Sequence, residues 1–159
     1  IIDSIKKLNY KLDNSIFNPL VIIVSGGKLK VDEKKLLFPI NYLKIETLNS
    51  KDYSYIISKV DCLLHPSLIE GFGITVLEAL VAKIDIIAYK SKAAYEIAGD
   101  SILYFEENNI QSIYNVLLNY VLNNNTKNYK KNYVSFIKTL YTWTNSADKL
   151  VEIYDKLNK

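Results

Sequence analysis

A chain of 159 residues with 49% apolar content is long enough for one compact core and shorter than two domains usually need. Its formal charge of +3 comes entirely from lysine, because the sequence holds no arginine, and its single cysteine excludes disulfides and cysteine-rich metal sites. Without the planar guanidinium fork, base readout and bidentate phosphate grip lack their usual side chain, so no nucleic-acid partner is expected.

The first residues already follow an amphipathic pattern, Ile1, Ile2, Ile5, Leu8 and Leu12, with no methionine ahead of them. This reads as a piece of something longer. No run reaches the eighteen or more apolar residues of a membrane span, and no basic segment with a following apolar stretch and cleavage site opens the chain, so a soluble cytoplasmic protein is expected. Short, branched, apolar runs then predict strands at 20–25 (LVIIVS), 43–47 (LKIET), 61–65 (DCLLH), 85–89 (DIIAY) and, more weakly patterned, 102–105 (ILYF). Between them lie helical patterns at 31–38, at 50–59 with Asn49 or Ser50 as N-cap, and at 74–83. The last third is all helical, with segments at 109–122, 126–141 and 146–157 and the polar NNNTKN as a loop.

Strands that alternate with helices and read as continuous apolar runs predict an α/β fold: a Rossmann-like, doubly wound parallel sheet buried on both faces, followed by C-terminal helices. No repeat and no proline- or glycine-rich linker divides it, so residues 1–159 form one domain. The segment 126–141 interleaves lysine with aromatics, as a single-strand groove or a membrane-facing surface would. Val134, Ile137 and Leu140 recur at helical spacing, however, which favours an ordinary helix with a solvated lysine face.

Ligands of such folds sit at the carboxyl ends of the strands, here residues 25–28, 47–50, 65–75 and 89–96. In HPSLIEGFGITVLEAL, 65–80, Gly71 and Gly73 occupy the turn from strand to helix, where unpaired backbone N–H groups attract anions. Glu70 would repel a phosphate laid directly on it, and no lysine lies between 60 and 82 to neutralise it. As an acceptor-only group it suits hydroxyls, in which sugars are dense. Glu78 stands at most about 12 Å further along if the intervening chain is helical. One elongated ligand, with sugar, diphosphate and ribose in that order, would satisfy both carboxylates and the turn between them. Glu78 could equally just favour the helix dipole.

Other candidates are thinner. Gly26 and Gly27 form a tight turn under the ligand, and Lys28 either reaches a phosphate or is a plain surface lysine; GGK lacks the surroundings of a P-loop. His65 either touches the ligand or makes a structural hydrogen bond to nearby backbone. Ser67 has no nucleophile-elbow context, Cys62 reads as a small core residue, and a single histidine without clustered carboxylates predicts no metal.

The block PSLIEGFGITVLEAL, with Glu70, seven residues, and Glu78, resembles the signature of retaining glycosyltransferases of family 4, which have the two-domain GT-B architecture. PLVIIVSGG resembles that family's second strand and glycine turn, SKDYSYIISKVDCLLHPS the helix and strand leading into the motif, YEIAGDSILYFEENN the stretch after the next strand, and YTWTNSADKLVEIYDKL the closing segment. The resemblance implies the C-terminal, donor-binding half of such an enzyme. Glu70 then hydrogen-bonds hydroxyls of the transferred sugar, Glu78 binds the ribose, and the backbone amides of Gly71, Phe72, Gly73, Ile74 and Thr75 hold the diphosphate. Transfer retains the anomeric configuration without cofactor or protein-bound metal, from a nucleotide-sugar to a saccharide or lipid-linked acceptor, and the full-length protein could associate peripherally with a membrane. The first strand, a basic pair and the N-terminal acceptor domain would precede Ile1. Lys83 and Asp85 stand where the family usually has glycine and proline, and SKAAYE replaces a glycine-containing loop. The alternatives are a non-catalytic nucleotide- or carbohydrate-binding relative with the same fold, and a small phosphate-binding domain complete in itself.

Overall fold

The computed structural model describes residues 2–12, 19–24, 41–45, 47–123 and 131–158, without the side chains of 131–134 and 136. The elements in chain order are α1 (Ile2–Lys11), β1 (Leu20–Val24), β2 (Asn41–Ile45), α2 (Ser50–Ile57), β3 (Cys62–His65), α3 (Ile74–Ala82), β4 (Asp85–Tyr89), α4 (Lys92–Ala98), β5 (Leu103–Phe105), α5 (Ile110–Leu122), α6 (Lys131–Leu140) and α7 (Trp143–Leu157). The expected helix at 31–38 and the GGK turn lie outside the described residues.

Every strand pairing is parallel, and β4 is the centre of the best-buried part: β3 pairs with it from Cys62 opposite Asp85 to His65 opposite Ala88, and β5 from Leu103 opposite Ile87 to Phe105 opposite Tyr89. Successive side chains of a strand point to opposite faces, and DIIAY is apolar on both. Ile86 and Ala88 join Val76, Ala79 and Leu80 of α3, Ala94, Ile97 and Ala98 of α4 and Ile137 of α6 in one core. Ile87, from the other face, joins Ile5 and Leu8 of α1, Phe105, and Ile113, Tyr114 and Leu117 of α5 in a second. Helices therefore cover both faces of this sheet, as the apolar runs predict. The buried Ser4 hydroxyl fastens α1 to α5 by donating to the Ile110 carbonyl at 3.0 Å.

β1 and β2 form a separate two-stranded parallel sheet, with no hydrogen-bonded pairing to β3, β4 or β5 among the described residues. Leu20, Val24 and Leu43 are exposed there, so burial on both faces does not extend to this pair. Val21 nevertheless packs against the second core, as do Cys62 and Leu64 of β3. The described part of the second strand runs over Asn41–Ile45, where 43–47 is expected.

Helix starts follow side-chain chemistry. Asn49 accepts from the Asp52 amide at 2.9 Å, Ser91 from Ala94 at 3.1 Å, Asn109 from Ser112 at 2.8 Å and Thr142 from Asn145 at 3.1 Å. Each cap satisfies one N–H that the helix cannot. The Thr142 cap starts α7 at Trp143, ahead of the expected 146, and the Ser91 cap starts α4, a short helix that periodicity does not reveal. Along α7, Trp143, Leu150, Val151, Tyr154 and Leu157 all remain exposed. No helix among the described residues is long and apolar enough to cross a membrane.

Candidate functional site

α3 starts without a side-chain cap. Its N-cap is Gly73, at φ 90° and ψ 39°, a left-handed conformation that glycine takes at little cost. The Gly73 carbonyl accepts from Val76 at 3.0 Å and Leu77 at 3.1 Å. The amides of Ile74 and Thr75 have no acceptor among the described residues, so two donors point out of the positive end of the helix.

The two glycines differ. A Cβ on Gly73 would lie 3.2 Å from Cδ1 of Ile97, whereas a Cβ on Gly71 would meet nothing within 4 Å. Gly71 also lacks a positive φ, so neither backbone conformation nor packing requires glycine there. The space beside it is open. Phe72 meets Tyr141 edge-on at 5.2 Å between ring centroids, which ties the turn to the junction of α6 and α7, and the Ser67 hydroxyl donates to the Ile69 carbonyl at 3.2 Å within the turn. Ile74 is exposed and Thr75 half-buried.

The carboxylates flank this opening in chain order, and each has a neighbour. His65, the last residue of β3, is 8% exposed and lies with Nε2 3.3 Å from Oε1 of the half-buried Glu70. The contact is close but misaligned, and it leaves Nε2 without a formed hydrogen bond. Burial pulls the imidazole's pKa below its ordinary 6.5 and outweighs the opposing pull of Glu70, so the ring is neutral at pH 7. Glu78, exposed on α3, faces the Tyr53 hydroxyl on α2 closely enough for its charge to act on the phenol. Burial first, then the negative charge of Glu78 and the pull of its carboxylate on the phenol proton, push the Tyr53 pKa up to about 12.

Tyr53 is absent from the sequence-based site. Its helix carries two tyrosines: Tyr53 faces Glu78, whereas Tyr55 is exposed. Gly26, Gly27 and Lys28 lie outside the described residues. Among the described residues no three His, Cys, Asp or Glu side chains gather as metal ligands.

At the opposite end of the strands, Tyr120 of α5 donates to Asp85 Oδ2 at 2.9 Å, and the Asp85 amide donates to the Asp61 carbonyl at 3.2 Å. Cys62 lies beside this pair, its thiol pushed up to about 12 by burial and by the charge of Asp85. This cluster joins α5 to the sheet, away from the helix opening. A proline at 85 could provide neither bond.

The family model of the glycosyl transferases group 1 matches residues 1–156. The chain belongs to that family. No curated protein matches it. For a glycosyl transferases group 1 domain the substrates are, in general, a sugar donor and an acceptor. The parallel sheets flanked by helices agree with a Rossmann-like half of the GT-B architecture.

Proposed function

We propose that this glycosyltransferase domain binds a nucleotide-sugar at the start of α3 and that the whole enzyme belongs to the retaining enzymes of family 4. The observation that carries the reading is the uncapped start of α3, with the free amides of Ile74 and Thr75 and open space at Gly71, bracketed by Glu70 and Glu78. A diphosphate on these amides would gain from both hydrogen bonding and the helix dipole, and more so as its charge grows on leaving the sugar. Glu70 would then accept from hydroxyls of the transferred sugar, and Glu78 from the ribose. No step of this binding calls on a cofactor or a protein-bound metal.

On the same reading residues 1–159 are the donor half of a longer cytoplasmic protein, with a first strand and an acceptor domain ahead of Ile1, acting on a saccharide or lipid-linked acceptor that could bring it to a membrane surface. Among the described residues β1–β2 and β3–β4–β5 are not hydrogen-bonded to each other, which leaves room in the sheet order for such a strand. The uncovered apolar side chains of α7 are the kind of surface another domain would cover. Calorimetry with uridine, guanosine and adenosine diphosphates and their sugar derivatives tests the reading, on this chain and on the protein extended upstream. Binding of one nucleotide and its sugar derivative is expected; no binding by either protein would sink it.

A further inference from the structure

We propose that His65 is a positioning residue for the donor sugar: its Nε2–H holds Oε1 of Glu70, so that Oε2 faces a sugar hydroxyl. The inference rests on the reading of Glu70 given above. Glu70 ends an irregular stretch between β3 and α3, and no residue other than His65 approaches its carboxylate within ion-pair distance among the described residues. Left alone, such a side chain samples several rotamers, and a hydroxyl that needs one of them binds correspondingly less well. His65 is the opposite kind of group. The backbone of its strand pairs with β4 opposite Ala88, and the ring is buried.

The chemistry of the contact fits this role. A neutral imidazole has one N–H, and with the proton on Nε2 that donor lies 3.3 Å from a carboxylate oxygen while making no formed hydrogen bond. A buried donor is costly to leave unpaired, and a small rotation of Glu70 would complete the bond. Contacts of this kind are often loose in the free protein and tighten when substrate arrives. An ionised carboxylate has about four lone-pair sites, so one given to His65 leaves the others for the ligand. Buried as it is, His65 reaches the sugar through Glu70 rather than directly.

Glutamine and asparagine separate this role from a merely structural one. The amide nitrogen of glutamine can reach the position of Nε2; that of asparagine reaches only the position of Nδ1. The quantity to measure by calorimetry is the ratio of affinities for a nucleotide-sugar and its own nucleoside diphosphate, using the pair that the wild-type protein binds best. His65→Asn is expected to lower that ratio about tenfold, as loss of a hydrogen bond to a charged group does. His65→Gln should keep most of it, and both should bind the bare diphosphate as the wild type does.

Equal effects of Asn and Gln, or an unchanged ratio in His65→Asn while Glu70→Gln erases it, would overturn the role of His65 and leave that of Glu70 standing. An unchanged ratio in Glu70→Gln, or no binding by the wild type, would overturn both. If His65→Asn does not fold, the imidazole 15N shifts of the unaltered protein decide: a proton on Nε2 supports the proposal, and a neutral ring protonated on Nδ1 defeats it.

Discussion

The hydroxyl of Tyr53 on α2 faces the carboxylate of Glu78 on α3, and the negative charge of Glu78 helps to hold the phenol protonated. A residue of ordinary helical appearance thus stands as a donor beside the second motif carboxylate. Tyr53→Phe keeps the ring and removes the donor. Nucleoside diphosphate affinity should fall about three- to tenfold, the range of one hydrogen bond, with no change in the extra affinity that the sugar provides. Calorimetry with both ligand forms checks this, and a loss confined to the sugar increment would contradict it.

Gly71 and Gly73 should respond differently to alanine. At Gly73 the left-handed backbone sets the cost, about 1–2 kcal/mol, because the only close neighbour of the new methyl group is the flexible tip of Ile97. At Gly71 the fold has no objection, and stability should stay within about 0.5 kcal/mol of wild type. Diphosphate affinity should still drop in Gly71→Ala, since the methyl group enters the space proposed for the ligand. Thermal melts combined with titrations test the contrast.

Lys83 closes α3 in a left-handed conformation, at φ 61°, with its amide donating to the Ala79 and Leu80 carbonyls. Glycine takes that conformation without the clash that a Cβ brings. Lys83→Gly should therefore stabilise the protein by about 1 kcal/mol, after the added flexibility of the unfolded chain is counted. A melting temperature equal to or below that of the wild type would refute it.

His65 makes stability depend on pH. Its folded-state pKa lies below the ordinary 6.5, so the unfolded chain binds the proton more readily. The contribution is complete above about pH 6.5 and is lost as the pH falls from there through the folded value. Between pH 7.5 and 5 the wild type should lose more melting temperature than His65→Gln; parallel curves would count against the assignment.

The Tyr120–Asp85 bond should contribute about 1–2 kcal/mol, as a hydrogen bond to a charged acceptor in a half-buried place does. Tyr120→Phe tests this in a denaturant titration. In the native protein the Cys62 thiol, at about 12, should resist iodoacetamide at pH 8, and rapid alkylation without unfolding would contradict its burial.

Much of this was legible in the sequence because it depends on local pattern. The apolar runs at β3 and β4 and the periodicities of α2, α3 and α5 lie within a few residues of their expected places, and Asn49 caps α2 as its chemistry suggests. Glu70, Gly71, Gly73 and Glu78 were visible as a motif. What was hidden depends on distant packing. Nothing in SKDYSYIISK distinguishes Tyr53 from Tyr55, and whether His65 meets backbone, ligand or carboxylate depends on how the turn after Pro66 folds back. Helix α4 has too few residues to display a period, and an apolar run identifies a strand without naming its partner. The separation of β1 and β2 from the other strands was therefore not readable.

That separation also divides the molecule's resistance to opening. A two-stranded ribbon with exposed Leu20, Val24 and Leu43 holds its amides by far less buried surface than the three strands between two helical layers. The amide protons of β1 and β2 should exchange with solvent through local fluctuations, while those of Ile86, Ile87 and Ala88 wait for global unfolding. The stretch from His65 to α3 is attached to the slower of these two units, so the proposed sugar-binding end is held by the part of the protein that opens last.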